Sequence, residues 1–169
     1  MKGAAACLLA AALSGCGYHV SGHADLLPKN IKTIAVPAFG NVTIRYRLAD
    51  RVSAAITREF IERTRYKVVA DPKQADAVLT GAVVNFGSIP TAYDPVTSRA
   101  SGVQAVVTLQ LLLTDKTGKV LFNRPSMELR ERYQISVDAA TYFDESGPAM
   151  DRLARDVART VVSAVLENF

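Results

Sequence analysis

Cys16 has the clearest potential for chemistry in the chain, because it ends the sequence Leu13-Ser14-Gly15-Cys16. Small residues directly before a cysteine suit the active site of a lipoprotein signal peptidase. The thiol could carry a diacylglycerol in thioether linkage, and the amino group freed by cleavage could carry a further chain such as palmitate. Each buried methylene contributes about 0.8 kcal/mol, so two or three chains would anchor the protein firmly to a membrane.

The residues before Cys16 have the features of a signal peptide. Lys2 precedes an apolar run, residues 4–13, that is too short to span a bilayer as a mature helix. We therefore predict a lipoprotein signal peptide over residues 1–15, a lipidated cysteine with a tether over 16–29, and a single domain over 30–169. An ordinary signal peptide with an unrelated cysteine, or an uncleaved anchor, is the alternative.

The neighbours of Cys16 also predict where the mature protein is anchored. Gly17 follows the cysteine, whereas an aspartate at that position favours retention in the inner membrane under the bacterial sorting rule. We therefore expect a lipid anchor on the periplasmic side of the outer membrane. Cys7 lies inside the signal, so the mature domain has no cysteine for a disulfide or a thiolate metal site.

The two histidines are the other residues with potential as ligands. His19 and His23 are four positions apart, with Asp25 nearby, and this spacing can bind a metal ion when it lies on a helix. The three residues belong to the predicted tether, where no helix is expected, so we predict no metal site. The predicted domain contains no histidine, which excludes a Ser-His-Asp catalytic arrangement.

No other pattern predicts catalysis or binding to nucleic acid. Solvated helix faces and a turn explain four carboxylates, those of Asp50, Glu59, Glu62 and Asp71. The spacing of Gly81, Gly87 and Gly102 fits no phosphate loop. Once Lys2 is removed with the signal, 19 basic side chains stand against 16 acidic ones. This excess is small and lacks the basic stripe with interleaved aromatic residues that is typical of nucleic-acid modules. We predict a non-enzymatic binding or assembly protein, whose only attached groups are the acyl chains on Cys16.

The spacing of apolar residues predicts the elements in the first half of the domain. Short strands are expected at residues 31–36, 66–70 and 76–86, where apolar and β-branched residues cluster. Between the first two, residues 46–64 place apolar side chains at helical spacing and charged ones on the other faces. This pattern predicts an amphipathic helix that packs on a core.

The second half predicts two long strands and a last helix. Residues 88–102 contain Pro90 and Asp94-Pro95, which favours a loop or a loosely formed hairpin end. Strict alternation over residues 103–113 predicts a strand with one buried face. The turn at 115–118 should return the chain antiparallel, and a helix is expected over residues 148–168.

The strand after that turn has an apolar side and a polar side. Alternation places Leu129 and Tyr133 on the apolar side, and sends Arg130 and Arg132 to the opposite face. Glu131 interrupts the apolar side, which marks an edge, a bulge or a contact with a partner.

These elements predict an α+β fold. The order of strand, helix, strands and helix indicates a two-layer sandwich with a mainly antiparallel sheet and both helices packed on one face. The first strand, the first helix and the next strand would form a right-handed crossover.

Several segments together resemble a known family. They are Cys16-Gly17-Tyr18-His19, Leu27-Pro28, residues 31–36, residues 48–60 and Ala75-Asp76-Ala77-Val78-Leu79. They look like the lipopolysaccharide-assembly lipoprotein family (LptE-like), and the resemblance covers almost all of the mature chain. It implies an outer-membrane lipoprotein that plugs a large β-barrel translocon, LptD, and helps lipopolysaccharide to reach the outer leaflet.

The resemblance also implies where lipopolysaccharide would be bound. Family members are thought to present basic residues at the tip between the long central strands and near the start of the last helix. Arg99 matches the first position approximately, whereas Asp138, Asp144 and Glu145 occupy the second region.

Three arginines are therefore our candidate contacts with lipopolysaccharide or the barrel: Arg99, Arg130 and Arg132. A guanidinium can bind a lipid A phosphate through two parallel hydrogen bonds, and a polar strand face suits the polar lumen of a barrel. The alternative is that these arginines are only solvated.

A second resemblance leaves the partner open. The strand at residues 31–36, the following helix and the segment from Ala75 are also similar to the periplasmic domain of curli-secretion lipoproteins and of lipoprotein activators of peptidoglycan synthases. The fold and compartment would be the same, so the partner distinguishes the two hypotheses.

Overall fold

The computed structural model describes residues 27–135 and 146–167. The predicted signal peptide, Cys16, both histidines, most of the tether and the acidic segment around Asp138 lie outside these residues. The elements, in chain order, are β1 (Thr33–Ala35), β2 (Gly40–Asn41), α1 (Tyr46–Arg63), β3 (Lys67–Val69), a 3-10 turn (Pro72–Gln74), β4 (Ala77–Tyr93), β5 (Ala100–Asp115), β6 (Val120–Gln134) and α2 (Ser146–Glu167).

The strands form one mixed sheet in the order β3-β1-β4-β5-β6, with β2 also paired to β4. The short pairings of β1 with β3 and β4, and of β2 with β4, are parallel. The long strands β4, β5 and β6 pair antiparallel. Parallel neighbours need a crossover connection, and α1 supplies the one between β1 and β3. The α+β prediction is confirmed, with the mainly antiparallel character carried by the three long strands.

Both helices cover the same face of the sheet, which we call the covered face, and the opposite side is the open face. Each helix buries an apolar stripe, and β5 buries alternate residues from Val103 to Leu113 between them. The main buried side chains of the helices are Leu48, Val52, Ile56 and Phe60 in α1 and Leu153, Val157, Val161 and Val165 in α2. Each large apolar side chain that is fully buried stabilises the fold by about 1.5–3 kcal/mol.

Of the two interpretations of residues 88–102, the loop is wrong for most of the segment, whereas a hairpin end is what the structure shows. β4 continues to Tyr93 and β5 begins at Ala100, so only residues 94–99 connect them. Pro90 is tolerated because, in the part of the chain that the structure describes, β4 has no strand on its other side beyond Val83, where the pairing with β2 ends. Proline removes a backbone donor and is accepted on such an edge. The result is a long hairpin whose far end projects beyond the short strands.

The hairpin between β5 and β6 turns as predicted. Gly118 has φ of +87°, a conformation that favours glycine. The carboxylate of Asp115 organises the turn by accepting hydrogen bonds from Thr117 N at 2.8 Å, Thr117 Oγ1 at 2.6 Å and Lys119 N at 3.0 Å.

Candidate functional site

The far end of the β4–β5 hairpin is an ordered loop, residues 94–99, which we call the tip loop. Asp94 Oδ1 accepts hydrogen bonds from Val96 N at 3.1 Å, Thr97 N at 2.7 Å and Thr97 Oγ1 at 2.8 Å. The backbone N–H of Asp94 donates to Arg99 O at 2.9 Å. The two hydrogen bonds from Thr97 hold the pKa of Asp94 below its usual value, and the hydrogen bond from Val96 N makes a smaller contribution to this lowering. The loop therefore has a defined shape.

This tip loop presents apolar and basic groups together. Tyr93, at the end of β4, is 64% exposed and Val96 is 89% exposed, and Arg99 is also exposed. The structure thus places Arg99 at the projecting end of the hairpin.

Arg130 and Arg132 lie on the open face, as alternation predicts for residues next to the buried Tyr133. In the register of the sheet, Arg130 stands opposite Val106 and Arg132 opposite Gln104. Arg130 is already engaged, since its Nε and Nη2 donate to Glu128 Oε1 at 2.9 and 2.6 Å. Arg132 makes no hydrogen bond or ion pair within residues 27–135 and 146–167, so it is the more available of the two.

The three predicted arginines do not form one cluster. Arg99 lies five residues before Gln104, the partner of Arg132, which is about 17 Å along an extended strand. The open face near them carries both polar and apolar side chains, including Gln104, Ile89 and Val106. A shallow groove of about 380 Å³ crosses it further along, and its lining includes Thr80, Gln110 and Asn123. The open face therefore combines polar and apolar side chains, and β6 adds the charges of Glu128, Arg130 and Arg132.

A second concave site, which we call the shoulder pocket, was not predicted from the sequence. It has a volume of about 260 Å³ and lies where the loop before α1 meets the start of α2. Its lining residues are Ile44, Arg45, Arg47, Leu48, Arg51, Gly147 and Met150. The charged residues of α1 were interpreted as a solvated face. The sequence signal that could have revealed the pocket is the spacing of Arg47 and Arg51, which places both on one side of a helix.

The loop that forms the rim of the shoulder pocket is held by Asn41. Its Oδ1 accepts from Thr43 N at 2.9 Å and from Thr43 Oγ1 at 2.8 Å, and its Nδ2 donates to Arg45 O at 3.0 Å. Val42 N also donates to Val83 O at 3.1 Å. This loop nevertheless exposes Val42 at 76% and Ile44 at 93%, so two apolar side chains are fixed in an outward position.

The part of the chain that the structure describes shows no group of side chains arranged for acid–base catalysis or for binding a metal ion. No group of three His, Cys, Asp or Glu residues there could hold a metal ion. Ser53 is the one buried polar side chain among these residues, and it donates to Ala49 O at 3.0 Å within α1. In the same residues, no helix is both long enough and apolar enough to cross a membrane.

Comparison with models of known protein families shows which family this chain belongs to. Residues 31–165 match the family model LptE, described as lipopolysaccharide-assembly. The chain belongs to the LptE family. The matched range includes α1, all six strands and nearly all of α2. No curated protein matches this LptE-family chain.

Solved structures share the fold of this LptE-family protein at low sequence identity. A protein from Xanthomonas campestris is 14% identical with a TM-score of 0.58, over 81% of this chain and 84% of that one. An uncharacterized lipoprotein B from Nitrosomonas europaea is 13% identical with a TM-score of 0.57, over 82% and 84%. PelC from Paraburkholderia phytofirmans, described as a dodecamer, is 18% identical with a TM-score of 0.50, over 80% and 87%.

Proposed function

We propose that this LptE-family protein is a lipid-anchored, non-enzymatic component of the outer membrane that plugs an LptD-like β-barrel and helps lipopolysaccharide to reach the outer leaflet. The match to the lipopolysaccharide-assembly family over residues 31–165 carries this proposal. Cys16 would bear the diacylglycerol and N-acyl chains, and would hold the domain on the periplasmic side.

The shape of the domain supports a plug. Its long antiparallel strands pair along most of their length, and its two helices share one continuous apolar core with the sheet. The polar groups of the open face, with Arg130 and Arg132 of β6, suit the polar interior expected of a large barrel. At the far end, the tip loop adds Arg99 and exposed apolar side chains, which suit a phosphorylated lipid.

Copurification from solubilised outer membrane tests the proposal. The full-length protein, carrying an affinity tag at its C-terminus, should retain one β-barrel protein of the lipopolysaccharide pathway in near-equal amount. A self-assembled ring of identical chains, or a bound peptidoglycan synthase, would instead favour the curli-secretion-like or synthase-activating alternative. Recovery of the protein alone would contradict the proposed role.

A further inference from the structure

We propose that the end of the sheet at which β1 begins is a docking surface for the anionic phospholipid headgroups of the membrane that holds the anchor. We call it the lysine end and define it by six residues: Lys29, Lys32, Lys67, Lys73, Lys116 and Lys119. The inference goes beyond the proposed function and takes from it only the acyl chains on Cys16. It concerns phospholipid, whereas the three predicted arginines concern lipopolysaccharide or the barrel.

The ends of five strands meet at the lysine end. Thr33 of β1 lies opposite Lys67 of β3, and Ile34 of β1 lies opposite Ala77 of β4. Ala77 in turn lies opposite Asp115, where β5 ends and the turn into β6 begins. The segments before β1, β3 and β4 and the turn between β5 and β6 are therefore neighbours in space, although they are far apart in sequence.

Backbone hydrogen bonds connect the segments that carry the lysines. Lys67 N donates to Lys32 O at 3.0 Å, and Lys116 N donates to Asp76 O at 3.1 Å. Asp76 N donates to Thr33 O at 3.1 Å, which joins the two pairs. The other lysines each lie three positions from one of these residues: Lys29, Lys73 and Lys119. The six lysines therefore stand on one fixed framework.

Lysine and arginine occupy separate parts of this protein. All six lysines after Lys2 lie at the lysine end and are exposed, whereas α1, α2, β6 and the tip loop contain arginine but no lysine. Arginine suits a fixed bidentate contact, while the lysine ammonium is a compact, hydrated charge on a flexible stem. Six such stems can follow a fluid layer of phosphates. This separation favours a lipid surface over a protein whose carboxylates have fixed positions.

The lysine end keeps a positive excess with most of its ammonium groups available. Three aspartates lie among the six lysines, and their carboxylates accept hydrogen bonds from nearby backbone N–H groups: Asp71, Asp76 and Asp115. Lys116 is the one lysine with an ion pair among the described residues, since its Nζ lies 3.9 Å from Asp76 Oδ1. The nearby end of α1 carries two acidic and two basic residues: Glu59, Glu62, Arg63 and Arg65. The lysines therefore determine the sign of the charge at this end.

The anchor brings the lysine end within reach of a bilayer. Leu27 is buried in the core five positions before Lys32, and Cys16 lies eleven positions before Leu27. Eleven residues span at most about 40 Å when fully extended. The tip loop lies at the other end of β4, which has 17 residues and is roughly 55 Å long. Basic residues close to an anionic leaflet are attracted to it and add a second membrane signal to acyl chains.

Fluorescence quenching in reconstituted vesicles tests the docking. Cys16 is the one cysteine after the predicted signal, so a cysteine at position 30 provides a single labelling site, and position 96 of the tip loop is the control. Acylated, labelled Asn30→Cys and Val96→Cys proteins are placed in phosphatidylcholine vesicles with or without phosphatidylglycerol, and the quencher is on the headgroups. Phosphatidylglycerol should strengthen quenching at position 30 at least threefold and leave position 96 unchanged. Equal quenching in both kinds of vesicle would overturn the proposal.

Matched removal of charge identifies the lysines. Two triple variants of the labelled protein lose the same net charge: Lys67→Gln with Lys73→Gln and Lys119→Gln, and Arg58→Gln with Arg155→Gln and Arg159→Gln. The docking equilibrium constant should fall at least tenfold in the lysine variant and stay unchanged in the arginine variant, with thermal unfolding showing that both are folded. Equal losses would show that only the net charge matters, and would overturn the lysine end as the docking surface.

Salt tests whether the attraction is electrostatic. Raising the ionic strength from about 0.1 M to about 1 M shortens the Debye length from about 10 Å to about 3 Å. Quenching at position 30 should then fall to its level in phosphatidylcholine alone. Quenching that persists at high salt would indicate apolar insertion and would overturn the headgroup contact.

Two further measurements separate this proposal from an acidic protein partner and from the proposed function. If a photo-crosslinker at position 30 captures an acidic protein in native membranes while phosphatidylglycerol causes no quenching, a protein is the occupant and the phospholipid proposal is wrong. Barrel copurification is measured with the same protein. If the barrel is recovered without docking, this proposal fails and the proposed function stands, whereas docking without a barrel supports the lysine end and contradicts the proposed function.

Discussion

Glu131 of β6 reaches the covered face of the sheet, where its Oε1 accepts a hydrogen bond of 2.8 Å from Arg152 Nε of α2. The Glu131 side chain is only 18% exposed and that of Arg152 is 40% exposed. The acidic residue that interrupts the apolar side of the strand thus attaches the last helix to the edge of the sheet. A charge that points inward from an edge strand also discourages unwanted strand pairing.

A double-mutant cycle should give a favourable coupling of about 1 kcal/mol between Glu131 and Arg152. Partial burial reduces screening of this pair by water, so its coupling should exceed that of a fully exposed pair, which typically lies at about 0.2–1 kcal/mol. The free energies of unfolding of Glu131→Gln, Arg152→Gln and the double variant provide the measurement. Glu128 and Arg130, which pair on the open face, serve as the exposed control, and equal coupling in both cycles would contradict the structural role of Glu131.

Gly81→Ala should destabilise the domain by about 1–3 kcal/mol. A Cβ at this position would lie 2.6 Å from the ring of the buried Phe39, so the ring or the strand would have to move. Gly87→Ala is the matched control on the same strand, because a Cβ there meets nothing within 4 Å. In urea unfolding, the midpoint of Gly81→Ala should fall below that of wild type, whereas the midpoint of Gly87→Ala should not.

Stability should depend on pH through Asp76. Its Oδ2 accepts from Lys32 N at 2.9 Å, Thr33 N at 3.0 Å and Thr33 Oγ1 at 2.9 Å. The hydrogen bond from Lys32 N, followed by those from Thr33, lowers the pKa of Asp76 below its usual value. A lowered pKa in the folded state stabilises the fold above the unfolded value of about 3.9, and this contribution is lost as the pH falls through the folded pKa.

Asp76→Asn should therefore lower the melting temperature at pH 7, and the difference from wild type should shrink toward pH 3. Thermal unfolding across this range provides the measurement. Asp50→Asn, on the exposed face of α1, should follow the wild-type curve. A constant difference between Asp76→Asn and wild type at all pH values would show that ionisation of Asp76 does not contribute.

Removal of the three predicted arginines should separate binding from folding. Arg99→Ala, and Arg130→Ala together with Arg132→Ala, should each change the free energy of unfolding by no more than about 0.5 kcal/mol per residue, because the side chains are exposed. Lipopolysaccharide binding or barrel copurification should nevertheless fall. If both are retained when all three arginines are removed, these residues are only solvated.

Cys16→Ala should leave the chain unprocessed or mislocalised, because thioether lipidation requires the thiol. Immunoblots of membrane fractions and mass spectrometry of the N-terminus provide the measurement. Cys7→Ala, inside the predicted signal, should be processed and anchored normally. A mature wild-type N-terminus without acyl groups would contradict the anchor.

The sequence alone determined the elements whose pattern is long and regular. α1 was predicted over residues 46–64 and spans Tyr46–Arg63, and the alternation of β5 gave its buried face correctly. Helical and extended spacing is visible in sequence because each periodic element must bury one side. The side of β6 that carries Arg130 and Arg132 followed from the same rule.

Tertiary structure decided the features that depend on contacts between distant residues. Pro90 suggested a loop, yet β4 continues through it, because among the described residues only β5 pairs with β4 there and the other edge of β4 is open. Glu131 finds its partner 21 residues away in α2, and the shoulder pocket joins the start of α1 to residues of α2 almost one hundred positions later. Local periodicity reports which side of an element is buried. It cannot report which distant side chains meet there, because packing of the helices against the sheet sets those distances.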